Sequence, residues 1–184
     1  MIRYATADTR DLLEQILGLQ SENLSDRVSP GEALEQGFVT VRHDLPLLEC
    51  LSGRFRHVVA LEDHRVVGYA LVMLKEFGHR VPVLVPLFDQ IDQLPYGLRR
   101  LCDAGYFVMG QVCIEKAFRG RGIFKGLYDE LRNQMKSEFE LVVTEIASRN
   151  IRSLKAHEKV GFRRVHRYTS PEGESWEVVV WDWR

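Results

Sequence analysis

The chain has few cysteines, no long apolar run and almost no net charge. Cys50, Cys102 and Cys113 share no Cys-x-x-Cys spacing and no Cys/His ligand pattern, so no metal site and no disulfide framework is expected. Three reduced thiols fit a cytoplasmic protein. No stretch approaches the roughly 18 consecutive apolar residues of a membrane helix, and Met1 is followed by polar Arg3, Thr6, Asp8 and Arg10 rather than by a signal sequence. Lys and Arg number 25 against 26 Asp and Glu, a net charge of −1, which excludes a chain-wide polyanion binder. Neither nucleic acid nor a membrane is therefore an expected partner. Internal repeats and low-complexity segments are lacking as well. What is present is ordinary for a globular protein. Of 184 residues, 45% are hydrophobic and 28% charged, enough to bury a core as one domain over residues 1–184.

The informative stretch is 106–131. Tyr106 to Ile114 reads as an apolar strand, followed by a basic, glycine-bearing turn and then a helix. Phe124, Leu127, Tyr128, Leu131 and Met135 recur on one helical face. Gly120 and Gly122 fall where that helix starts. A helix start exposes amides without intrahelical partners and the positive end of the dipole, so the turn can cradle a diphosphate. Arg119, Arg121 and Lys125 add side-chain charge. A second basic run, Arg149 to Arg167, reads either as a solvated face or as a polyphosphate dock.

Arg119-Gly-Arg-Gly122-Ile-Phe124 resembles the acetyl-CoA signature of the GCN5-related N-acetyltransferase (GNAT) superfamily, Gln/Arg-x-x-Gly-x-Gly/Ala, with Phe124 standing where Gly or Ala is usual. Asn150-Ile-Arg-Ser153-Leu-Lys-Ala-His157-Glu-Lys-Val-Gly161-Phe162 resembles a second superfamily motif, with His157 at the place of the usual Tyr. Val66 to Val72 is similar to another of its strands. The resemblance covers roughly residues 55–184 and is thin before that. It implies an α/β (α+β) fold: a mixed, mostly antiparallel, twisted sheet of about six to seven strands flanked by helices, with splayed central strands.

The remaining elements follow from local signals. Ile2–Ala5 is a strand. A helix runs from Asp8, its expected N-cap, to Leu19. A short helix is expected after Pro30, and another over Asp44 to Cys50. Phe55–Leu61 and Arg65–Leu74 form a hairpin. Residues 76–105 read as an insertion, either an acceptor-pocket lid or a packing excursion. Within it the Val81–Pro86 segment is barred from a central strand by its prolines, and helical turns are expected over Pro86–Gln93 and Pro95–Leu101. Leu141–Ile146 is a buried strand, Asn150–Val160 a helix closed by Gly161, and Arg163–Thr169 with Ser175–Trp183 a final hairpin.

The resemblance implies acetyl transfer from acetyl-CoA, as co-substrate, to a primary amine by direct attack. The backbone N–H of Val112 becomes the candidate to polarise the thioester, with Cys113 and Ile114 pairing to the pantetheine arm as an added strand. The diphosphate sits on Gly120, Arg121, Gly122, Ile123, Phe124 and Lys125, and Asn150 bonds the arm. An alkyl amine of pKa ~10 costs ~4 kcal/mol to deprotonate at pH 7, so a carboxylate base is needed. Glu145 is the first candidate and Glu115 the second, an ion pair of Glu145 with Arg149 or Arg152 being the alternative. His157 is the candidate acid for the leaving thiolate, with an expected pKa near neutrality. Near-zero charge suits a small-molecule or amino-acid-like acceptor, and a second copy in a homodimer is the other expected partner. Two rivals stand beside this reading. One is a non-catalytic acetyl-CoA-binding module. The other is a dinucleotide-binding protein built on Gly120, Gly122, Gly126 and Glu145.

Overall fold

A computed structural model describes residues 1–29, 31, 37–80 and 85–184. The strands are β1 (Ile2–Thr6), β2 (Val58–Glu62), β3 (Arg65–Met73), β4 (Pro95–Tyr96), β5 (Arg99–Arg100), β6 (Tyr106–Ile114), β7 (Leu141–Ala147), β8 (Arg163–Thr169) and β9 (Ser175–Asp182). The helices are α1 (Arg10–Glu22), α2 (Leu45–Leu51), α3 (Val85–Gln93), α4 (Ile123–Met135) and α5 (Ile151–Val160). Seven strands form one sheet in the order β1-β2-β3-β6-β7-β9-β8, and β4 with β5 forms a separate two-stranded hairpin. β6 and β7 pair in parallel, whereas β1–β2, β2–β3, β7–β9 and β8–β9 are antiparallel. The mixed, mostly antiparallel sheet with flanking helices is as expected.

The chain divides into two compact units, residues 1–72 with 110–135, and residues 73–109 with 136–184. In the first, α1 lays Leu13, Ile16 and Leu19 against Val59, Leu61, Tyr69 and Leu71 of the β2–β3 hairpin. Its N-cap is Thr9, whose hydroxyl accepts from Leu12 N–H at 3.3 Å, and not the expected Asp8, which accepts from Thr6 Oγ1 instead. α2 is capped as its sequence requires, Asp44 Oδ1 accepting from Leu47 N–H at 2.9 Å. On α4 it is Ile123, 1% exposed, that joins Leu127, Tyr128, Leu131 and Met135 in the core, whereas Phe124 is half-buried.

In the second unit an aromatic cluster holds α5 to the sheet. Phe162 lies 5.8 Å from Trp181, and Phe107 packs between Phe139 and Trp183. Gly161 ends α5 at φ +126, where a Cβ would also lie 2.7 Å from Trp181 Nε1, so conformation and space both demand glycine. The helical turn expected over Pro95–Leu101 is instead the β4–β5 hairpin followed by a 3-10 turn at Leu101–Asp103. The short helix expected after Pro30 falls mostly on residues 32–36, which with Pro30 and residues 81–84 of the proline-bounded segment lie outside the described residues.

Candidate active site

In the first unit β6 runs directly into the basic turn. Glu115 N–H bonds Val67 O on β3 at 2.9 Å, and the Cys113 carbonyl also faces β3, beside Gly68. Backbone groups alternate along a strand, so the N–H and C=O of Val112 and Ile114 point away from β3. Cys113 is turned the other way. Its thiol is buried in the α1 core and pushed up to about 12 by desolvation. Of the three residues expected at the pantetheine arm, Val112 and Ile114 turn their backbone groups away from β3 and Cys113 turns its own toward β3. The Ile114 carbonyl already accepts Arg119 Nε at 2.9 Å.

The turn then passes through Gly120 at φ +77 and Gly122 at φ +79, and a Cβ built on either meets nothing within 4 Å. Both glycines are thus required by conformation, in front of open space. The α4 ladder starts with Gly126 N–H to Gly122 O at 3.1 Å, so the amides ahead of it face out of the helix end. The Phe124 ring folds along the helix against Tyr128, with centroids 5.2 Å apart. That packing accommodates the one departure from the signature in the first turn. Gly126 serves a different purpose: a Cβ there would fall 2.1 Å from Tyr4 Cζ, so the glycine lets β1's tyrosine cross the helix.

The cations around the turn are engaged. Arg119 bridges Ile114 O and Asn23 Oδ1, the latter at 2.6 Å, and so ties the end of β6 to the end of α1. Arg121 sits 4.9 Å over the Phe118 ring, which Arg65 also approaches at 5.3 Å. Lys125 pairs with Asp129 at 2.6 Å on the surface, an interaction worth ~0–1 kcal/mol that an arriving anion easily displaces. Glu115, the second base candidate, is paired with Arg65.

A buried polar network on the α1 side of β6 had no signal in the sequence. Gln111 accepts from Tyr69 Oη at 2.6 Å and Gln20 Nε2 at 2.9 Å, and donates to Val41 O at 2.7 Å. Gln20 also accepts from His43 N–H at 2.8 Å and meets His43 Nδ1 at 2.9 Å. Burial lowers His43 to about 4, so it is neutral in this network.

In the second unit the parallel ladder covers Tyr106–Val108 against Leu141–Val143. The next carbonyl, Met109 O, is taken by Thr144 Oγ1 at 2.9 Å. A hydroxyl standing in for a rung satisfies the last carbonyl where two strands stop pairing. One residue on, half-buried Glu145 accepts from Tyr168 Oη. Burial raises the Glu145 carboxyl above its usual range and the tyrosine bond opposes that rise. Of the two expected arginines, Arg149 donates to Glu174 at 2.8 Å. The basic run reads mostly as a solvated face, since Arg164 pairs with Glu158 and Arg167 with Glu177.

Asn150 is the N-cap of α5, its Oδ1 accepting from Ser153 N–H at 3.2 Å. His157 is 2% exposed and edge-on to Phe162, its Nδ1 lying 2.8 Å from Ser153 O. Burial pulls it down to about 4, which overturns the expected near-neutral value. The imidazole is neutral at pH 7 and its Nδ1–H is donated to a backbone carbonyl.

A mixed sheet whose central strand runs into a glycine-built turn is the arrangement that the acetyl-CoA resemblance implies. The acetyltransferase (GNAT) family model matches residues 23–162, and the chain belongs to that family of acetyl-CoA-dependent N-acetyltransferases. No curated protein sequence matches the chain significantly. Among solved structures it is similar to the ribosomal-protein-S18-alanine N-acetyltransferase from Escherichia coli, with TM-score 0.63 and 10% identity over 99% of this chain and 94% of that one. It is similar to NAA60 from Arabidopsis thaliana in complex with acetyl-CoA, with TM-score 0.64 and 13% identity over 99% of each chain. For yncA from Salmonella typhimurium with its cofactor acetyl-CoA, the values are 0.62 and 14% over 100% and 95%. At these identities the likeness is one of fold. Among the described residues no helix is long and apolar enough to cross a membrane, and no cluster of residues could hold a metal ion.

Proposed function

We propose that this acetyltransferase acetylates the primary amine of a small-molecule or amino-acid-like acceptor by direct attack. The observation that carries the cofactor part is the pair of left-handed glycines, Gly120 and Gly122, each opening onto space at the start of α4. A diphosphate fits there because side chains are absent and amides and helix dipole point outward. Amides from Gly120 to Lys125 hold it, and Lys125 exchanges Asp129 for phosphate. Acetyl-CoA would supply the acetyl group as a thioester, with coenzyme A as the thiolate leaving group. Val112 N–H stabilises negative charge on the carbonyl oxygen during attack, the kind of donor whose loss costs ~10²–10³ in kcat. Ile114 N–H aligns the arm.

The candidate base is Glu145. Glu145 takes the proton that the amine nitrogen gives up as its bond to the carbonyl carbon forms, directly or through water. Its raised carboxyl is suited to that work at neutral pH. We assign Asn150 to capping the start of α5, and His157 to the helix's buried face, rather than to proton transfer. The unpaired thiols Cys50, Cys102 and Cys113 support a reducing, cytoplasmic setting.

The test is thiol release from acetyl-CoA with amino acids, polyamines, aminoglycosides and peptides with unblocked N termini. Peptides belong in the panel because the E. coli neighbour is named as an alanine N-acetyltransferase of a ribosomal protein. Saturable turnover with a small amine supports the proposal. Turnover with peptides alone reassigns the acceptor, and coenzyme A binding without any turnover favours the non-catalytic module.

A further inference from the structure

The β8–β9 pairing carries an irregularity between Arg164 and His166. Arg164 pairs with Val179, but it is His166, not Val165, that pairs with Val178, and Tyr168 then pairs with Trp176. On the other side of β9, Val178 pairs with Glu145 and Trp176 with Ala147. Paired residues share a face, so Glu145, His166 and Tyr168 lie on one side of the sheet. Without the extra residue the phase of β8 would invert, and Arg167 would stand where Tyr168 does. Bulges re-aim side chains in this way, often beside functional groups.

We infer that Tyr168, swung onto this face by the bulge, is a positioning residue that binds one oxygen of the Glu145 carboxylate and leaves the other to receive the proton. The inference rests on Glu145 being the base. Tyr168 Oη donates to Glu145 Oε2, and both residues are half-buried. A phenol is a neutral donor. It favours the ionised carboxylate without neutralising it, whereas a guanidinium in its place would hold the carboxylate too acidic to act as a base. Two nearby arginines have carboxylates of their own: Arg167 turns to Glu177 at 3.4 Å, and Arg149 to Glu174. The other titratable groups on this face of β7, β8 and β9 are His166, whose ring stacks on Tyr168 with centroids 6.3 Å apart, and Arg163 and Asp182 at the far end.

The experiment is the pH profile of kcat for wild type, Tyr168→Phe and Glu145→Gln. Loss of the phenol should move the acidic limb of Y168F to higher pH. Its kcat should then fall about tenfold on that limb and recover toward wild type in alkaline buffer. A Y168F limb that coincides with wild type, with or without a uniform loss, overturns the inference. Glu145→Gln reports separately on the base: wild-type turnover in E145Q removes Glu145 from catalysis, whatever Y168F does. A second measurement needs no substitution. In carbon-13 spectra of the wild-type protein, the Tyr168 ring Cζ should titrate with the midpoint of the Glu145 carboxyl, and a tyrosine silent through that titration also overturns the pairing.

Discussion

Gly122→Ala separates the cost of a conformation from the cost of an obstruction. Gly122 sits at φ +79, and a Cβ there meets no atom within 4 Å. The fold therefore loses only backbone freedom. A left-handed alanine costs ~1–2 kcal/mol, and a stiffer unfolded chain returns ~0.4–1 kcal/mol. The net is a loss of about 1 kcal/mol, or ~2–4 °C in Tm for a chain of this size. That is a small fraction of the ~5–15 kcal/mol typical of domains, so the variant should fold. Coenzyme A should notice far more. The added methyl stands in the space through which a diphosphate approaches the α4 amides, and losing even one charge-assisted bond, ~1.5–3 kcal/mol, weakens Kd by at least tenfold. Titration calorimetry with coenzyme A, beside a thermal melt, reads both quantities. A folded G122A protein with wild-type coenzyme A affinity refutes the cradle.

Three further outcomes are expected. Gln111→Leu strips the buried Tyr69 hydroxyl and Val41 carbonyl of the partner they share, and should lower stability by ~2–4 kcal/mol in a urea melt. Arg119→Lys cannot reach Ile114 O and Asn23 Oδ1 together, and calorimetric unfolding should show ~1–2 kcal/mol lost. His43, His57 and His157 are each held by burial at about 4, below the unfolded value of 6.5. Unfolding then takes up protons between those two pH values, so their contribution is whole above pH ~6.5 and disappears as pH falls toward ~4. The urea midpoint should drop steeply across that window, and a flat profile would show that the three imidazoles are solvated.

How much was legible beforehand depended on whether the signal was local. β6, its turn and α4 could be read because strand, glycines and helical period follow one another within about two helix lengths of chain. The helices starting at Asp44 and Asn150 were readable, but the cap bonds that each makes to its third neighbour were not drawn from the sequence. Thr9 displaced Asp8 by one position because Asp8 had a closer partner in Thr6. The β4–β5 hairpin was missed because two-residue strands leave no periodicity to detect, and its turn glycine, Gly97 at φ +63, was the only cue. Tyr168 and the Gln111 network were invisible for a different reason. Each joins residues far apart in the chain, 23 positions for Glu145–Tyr168 and 91 for Gln20–Gln111, and neither type nor spacing announces such meetings. The His157 prediction failed on burial, which a helical wheel places inside but cannot turn into a titration range.

The Gln111 side chain has a consequence for redesign. One amide is shared by a helix, a neighbouring strand and the segment around Val41–His43, while its own backbone adjoins Val112. Residues 41–43 are therefore not an independent module that can be exchanged at will. A transplanted loop lacking a carbonyl at 41 or a ring at 43 in register would tug on β6 itself, so altered turnover in such a chimera would report distortion of the strand as readily as new contacts to an acceptor.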